Sequence, residues 1–132
     1  MSHNATLRKA AAGLYAGIGI FALVKPALVP QMFGGGAPTS ESRTEIRAVY
    51  GGIPLAFAVA LARAGGDDPR SAGLRAAVRY ASYGMGLTRL LSGGFERRVR
   101  PWPTGFFAAL ELGAGAALTE VSPRRFTKAE PA

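Results

Sequence analysis

Between Lys9 and Lys25 the chain runs through AAAGLYAGIGIFALV without a single charge. Ala10–Val24 is too long for a strand and has no polar face, so it reads as a helix buried in protein or in lipid. It falls short of the roughly 20 residues that span hydrocarbon, but the aliphatic stems of Lys9 and Lys25 extend its reach. Pro26 and Pro30 end it, and QMFGGGAPTS follows as a glycine-rich loop. Arg8 and Lys9 ahead of an apolar core are also the layout of a signal peptide, although no small-residue cleavage site follows closely.

Three more segments repeat this pattern. Ser42-Arg43-Thr44-Glu45 matches a capping box just before IRAVYGGIPLAFAVALA, which carries no charge from Ala48 to Ala62. Pro54 in that run is tolerated in a bilayer, where neighbouring groups re-satisfy the freed carbonyl. Asp68 as N-cap with Pro69 at the first helical position starts a third helix, which Gly93-Gly94 is expected to stop. A fourth begins near Pro103 and runs through TGFFAALELGAGAALTEV, with Trp102 placed for an interfacial belt. The expected architecture is therefore all-α: an integral membrane four-helix bundle, up-down-up-down, over residues 1–122. Its helices lie at about 7–25, 43–63, 69–92 and 103–121, and a basic tail follows over 123–132.

Sixteen Lys and Arg against eight Asp and Glu give a net charge of +8. The cations border apolar stretches instead of forming a basic face with base-reading residues, so nucleic acid is not an expected partner. Anionic lipid is, because long basic side chains at helix ends reach for headgroups. With the N-terminus cytoplasmic, that side holds Arg8, Lys9, Arg63, Arg70, Arg75, Arg124, Arg125 and Lys128. The other side holds Lys25, Arg43, Arg97, Arg98 and Arg100, and the excess places both termini in the cytoplasm. The chain has no cysteine, and its one histidine, His3, lies in a polar terminal segment. Disulfides, thiolate catalysis and cysteine-ligated metals are thereby excluded. FGGGAP lacks the lysine of a phosphate-cradling loop. No catalytic residue, metal or cofactor is expected.

Small residues recur at four-residue spacing: Gly13 and Gly17; Ala48, Gly52, Ala56 and Ala60; Gly105, Ala109, Gly113 and Ala117. Such rows let helices pack closely in lipid, within one chain or between copies. At about 1.5 Å per residue, Arg47, Arg89 and Glu111 fall at similar depth below one surface, with Glu45 nearby. A deep carboxylate needs pairing, so Glu111 is expected to meet Arg89 or Arg47. A spare guanidinium in that cluster would suit an anionic ligand or headgroup. Tyr50, Tyr80 and Tyr83 are candidates for a polar cavity beside it.

TEIRAVYGGIPLAFAVAL, GLTRLLSGG and LELGAG, after a proline-ended first helix and an FG loop, resemble the bacterial family of small four-helix membrane proteins catalogued as domain of unknown function 4345. The resemblance runs from about Leu7 to Val121, and its most specific residues are Glu45, Arg47, Tyr50, Gly51, Gly52, Arg89 and Glu111. It implies an inner-membrane four-helix fold and no activity, substrate or cofactor. The basic run Arg97-Arg98-Val99-Arg100 departs from it. Three functions fit these residues. The leading one is a non-catalytic membrane protein that self-associates or joins a larger complex. A carrier or binding protein using Glu45, Arg47, Tyr50, Arg89 and Glu111 is the second, and a soluble bundle holding an apolar ligand is the third.

Overall fold

The computed structural model describes residues 3–119, and every regular element among them is helical. Helix α1 spans His3–Val24, α2 is a single turn at Leu28–Gln31, and α3 spans Ser40–Arg63. Helix α4 spans Pro69–Phe95, and α5, Phe106–Ala117, is entered through a wide turn at Pro101–Gly105. The end expected for the fourth helix at residue 121 and the basic tail over 123–132 lie outside the described residues.

Local chemistry places most of these ends. Asp68 accepts from the Ser71 amide at 3.0 Å and from its hydroxyl at 2.6 Å, and Pro69 opens α4. The cap of α3 is Thr39 instead of Ser42. Thr39 Oγ1 accepts from the Ser42 amide at 3.0 Å, while Ser42 Oγ accepts from the Thr39 amide at 3.2 Å. The reciprocal box is there, with Ser42 as its second member.

Nor does α4 stop at Gly93-Gly94. It continues to Phe95 and ends in a Schellman motif: Arg98 N–H donates to Gly93 O at 2.8 Å and Arg97 N–H to Gly94 O at 3.1 Å. The left-handed position is filled by Arg97, at φ 52°. Gly93 is kept small by packing, because a Cβ there would lie 2.7 Å from Val99 Cγ2.

Pro54 produces a widened turn inside α3. Its ring would press on the Tyr50 carbonyl in a regular helix, and the backbone adopts π geometry over Arg47–Gly52, just ahead of it.

Helix α1 runs antiparallel to α3. The Arg8 guanidinium donates to Leu61 O near one end, Gly19 abuts Gly51 and Leu55 midway, and Arg47 Nε donates to Leu23 O at 3.1 Å near the other end. Helices α4 and α5 also pair antiparallel, with Tyr83 on Gly115 and Gly86 on Leu112. Contacts of α3 with α4 and of α1 with α5 join the two pairs. The core lies toward the end that holds the N-terminus of α1, where Ala11, Tyr15, Leu61, Val78, Ala114 and Leu118 are buried.

The glycines that bring helices together are not those in the expected rows. A Cβ on Gly13, Gly17 or Gly113 would meet nothing within 4 Å, and Ala48, Gly52, Ala56 and Ala109 are exposed. Close approach is made by Gly19, Gly51, Gly86 and Gly115. A Cβ on Gly19 would come within 2.9 Å of Gly51 O, and one on Gly115 within 2.8 Å of the Tyr83 ring.

Candidate functional site

Beyond the packed core, toward the end where α1 and α4 finish, the helices leave a cavity of about 550 Å³. Its walls are hydrocarbon and aromatic: Leu14, Ile18 and Phe21 of α1, Ile53 and Phe57 of α3, Met85 of α4, and Phe106, Phe107 and Leu110 of α5. Val29 and Met32 close it from α2 and the residue after it, with Phe33 beside them. Several wall residues, among them Val49, Tyr50 and Phe106, are also exposed, so the cavity reaches the surface.

Two charged side chains stand in this wall. Glu111 is 8% exposed, carried on the buried stripe Ala108, Glu111, Ala114, Gly115 of α5. Arg89 projects from α4 and donates from Nε to Glu111 Oε2 at 2.8 Å. A carboxylate this buried in apolar surroundings would be strongly penalised alone, and the guanidinium is what makes it tolerable. The same guanidinium carbon lies 5.6 Å from the Phe107 ring centroid and 5.7 Å from that of Phe33, within range for cation–π attraction. Arg89 is thus held by one ion pair and flanked by two rings.

Of the residues expected to form the cluster, Arg89 and Glu111 meet and Tyr50 lies on the cavity wall. Arg47 does not join them. Lys25 N–H takes the Phe21 carbonyl, but the Leu23 carbonyl is left over where α1 ends near Pro26, and the Arg47 guanidinium satisfies it. Glu45 is exposed and pairs with no cation among the described residues. Tyr80 points outward at 68% exposure beneath the Arg79 guanidinium. Tyr83 packs on Gly115, and its hydroxyl lies 3.2 Å from Thr119 Oγ1.

The structure adds Tyr15, Phe33 and Phe107. Tyr15 is 3% exposed, lines the cavity floor and packs edge-on against Phe57 at 5.3 Å. Its hydroxyl lies 2.5 Å from Ser82 Oγ, whose own proton is directed to Val78 O at 2.7 Å, so Tyr15 is the donor. A sequence signal for Tyr15 existed: Ala11, Tyr15, Gly19 and Ala22 follow helical spacing and are all buried. Phe33 lies in a loop and carried no such signal.

Among the described residues no group of His, Asp or Glu gathers to hold a metal ion. The arrangement can bind an apolar body and offer it one polar contact; it contains no paired nucleophile and base.

A family model described as domain of unknown function (DUF4345) matches residues 6–121. No curated protein and no solved structure matches the chain.

Proposed function

Starting from a chain that belongs to the DUF4345 family, whose description assigns no activity, we propose a multi-pass membrane protein that binds a small apolar or amphipathic molecule between its helices. The observation that carries this reading is the Arg89–Glu111 pair standing in the wall of an apolar cavity instead of in packed core. A pair serving only as internal glue would be best enclosed on all sides.

The membrane setting is supported by where the apolar surface lies. Helix α1, over Asn4–Val24, and α3, over Ser40–Arg63, are long and apolar enough to cross a bilayer. Only 22% and 17% of their most apolar windows is buried, whereas the core helix of a water-soluble protein hides most of its apolar face. Val24, Leu91 and Phe95 are 65%, 63% and 86% exposed. Helix α4 carries two of its four cations in ways compatible with lipid. Arg75 donates to Ala64 O and Gly66 O near one end, and Arg89 is paired in the wall. On this reading α1, α3, α4 and α5 cross an inner membrane four times as an up-down-up-down bundle, with both termini cytoplasmic and basic ends against anionic lipid. Retention in membranes through carbonate extraction tests the setting; release into the soluble fraction would return the chain to a water-soluble bundle.

Trp102 supplies the binding assay, because it is the chain's single tryptophan and stacks near the cavity wall, 5.3 Å from Phe106 and 5.9 Å from Phe107. In nanodiscs, 1-bromododecane should quench its fluorescence saturably. Gly17→Phe fills open space in the cavity wall and should leave only the linear quenching of probe dissolved in lipid. Identical linear quenching in both proteins would end the proposal.

A second reading, self-association, is favoured by the outward rows Ala48, Gly52 and Ala56 on α3 and Ala109 and Gly113 on α5. Gly52→Leu should then shift the molecule toward monomer in detergent; an unchanged mass by light scattering rejects it.

A further inference from the structure

The chemistry of the cavity wall narrows what the bound molecule is, on the premise that the cavity is a binding site. We propose that it is an uncharged amphiphile, a hydrocarbon body ending in a hydrogen-bond acceptor such as a ketone, ester or quinone carbonyl, received by the terminal nitrogens of Arg89.

Charge balance decides between this ligand and an anion. Arg89 and Glu111 cancel, and Arg47, the second cation that would have given the site a surplus, is engaged on the Leu23 carbonyl. A carboxylate or phosphate entering beside a neutral pair would leave one unbalanced negative charge among hydrocarbon walls, a heavily penalised arrangement. An uncharged acceptor adds none.

Hydrogen-bond bookkeeping points the same way. Guanidinium has five N–H donors and no acceptor. Glu111 takes the one on Nε, and among the described residues the two Nη nitrogens donate no hydrogen bond. Arg89 lines a cavity whose other polar side chains are Tyr15, Tyr50 and Glu111. The Tyr15 proton is already given to Ser82. The four Nη protons are the larger unfilled capacity beside the Glu111 oxygen that takes no hydrogen bond among the described residues, so a headgroup that carries an acceptor matches them, whereas an ammonium would add one unbalanced positive charge to a neutral pair. Phe33 and Phe107 flank the guanidinium and keep its fork in one place, so the headgroup meets an oriented pair of donors.

Size sets the body of the ligand. At the roughly 30 Å³ that a water-sized group takes in a liquid, a cavity of about 550 Å³ holds on the order of 18 non-hydrogen atoms. That is a single medium-length chain and its headgroup, well below a two-chain phospholipid.

The test uses the full-length protein in nanodiscs of zwitterionic lipid, with Trp102 quenching by three brominated probes of equal chain length. They are methyl ω-bromododecanoate, ω-bromododecanoate at a pH where it is ionised, and 1-bromododecane, each counted per molecule partitioned into the bilayer. The ester should quench saturably and at least roughly tenfold more tightly than either other probe, the factor one net hydrogen bond to a charged donor supplies. Glu111→Gln leaves Arg89 as an unbalanced cation and should bring the ionised acid level with the ester or ahead of it. Tighter binding of the acid by the wild-type protein overturns the charge argument, and equal binding of ester and alkane overturns the acceptor argument. In both cases the cavity remains a binding site. Linear quenching by all three would instead remove the cavity reading itself. Because the wild-type ranking alone decides these outcomes, the test survives failure of the variant to fold.

Discussion

Arg89 Nε and Glu111 Oε2 lie 2.8 Å apart and join α4 to α5 across a wall that is otherwise hydrocarbon and aromatic. Removing one partner leaves the other charge uncompensated, so Glu111→Ala should lower unfolding free energy by about 1–3 kcal/mol, less than for a fully buried pair because the Arg89 side chain left behind is 28% exposed. The double variant Arg89→Met/Glu111→Leu, with both charges gone, should recover most of that loss while no longer distinguishing ester from alkane. Denaturation in detergent measures the first effect and probe binding the second. A double variant as unstable as the single would mean that the pair is not what holds this wall.

Glycine substitutions should sort by contact and not by their place in four-residue rows. Gly19→Ala puts a Cβ 2.9 Å from the Gly51 carbonyl oxygen and 2.7 Å from Leu55 Cγ, and should destabilise by about 1–3 kcal/mol. Gly13→Ala meets nothing within 4 Å and should be neutral or stabilising by up to about 1 kcal/mol. Thermal melting of the two variants side by side checks the order; the reverse order would refute the α1–α3 packing.

Arg97 occupies the left-handed position that ends α4, a conformation in which L side chains crowd their own backbone. Arg97→Gly should raise stability by roughly 0.5–1 kcal/mol, since the relief of that crowding exceeds the added freedom of the unfolded chain. Arg97→Ala, which keeps a Cβ, should show no such gain. Equal melting temperatures for the Gly and Ala variants would rule out this account of the helix end.

Asp68, the N-cap that precedes α4, has its carboxyl held below the ordinary value by the hydroxyl and amide of Ser71. A lowered pKa means that the folded protein favours the charged carboxylate. Its contribution is complete above the ordinary value of 3.8 and is lost as pH falls through the lowered one. Asp68→Asn keeps an acceptor for the Ser71 amide and removes the titration. The gap in melting temperature between wild type and Asp68→Asn should therefore narrow as pH drops below about 4, and a constant gap down to pH 2 would contradict the linkage.

Much of this fold is legible in the residues themselves. Asp68-Pro69 announces the start of α4, Pro26 stands just past the end of α1, and the need of a deep Glu111 for a cation narrows its partner to Arg89 or Arg47, of which Arg89 is the one it meets. The misreadings share a cause. Alanine and glycine are so frequent that four-residue rows appear on more than one face of α1, α3 and α4, and spacing alone cannot say which row meets a neighbour. In α3 the π turn at Arg47–Gly52 adds a residue to one turn, which rotates the remainder of the helix by about 100° relative to a regular one. Charge alone draws Arg47 toward Glu111, yet a nearer carbonyl at the end of α1 takes it.

What the chain determined on its own were the properties that act within a few residues: apolar runs, turn residues, caps, and the rule that a carboxylate among hydrocarbon must find a cation. The tertiary structure alone decided the rotation of each helix about its axis, the exclusion of Arg47, and the opening of a cavity at one end with a cluster of buried apolar residues toward the other. Those outcomes depend on how the surfaces of separate helices fit together, and a fit between distant segments leaves no periodic mark on either of them.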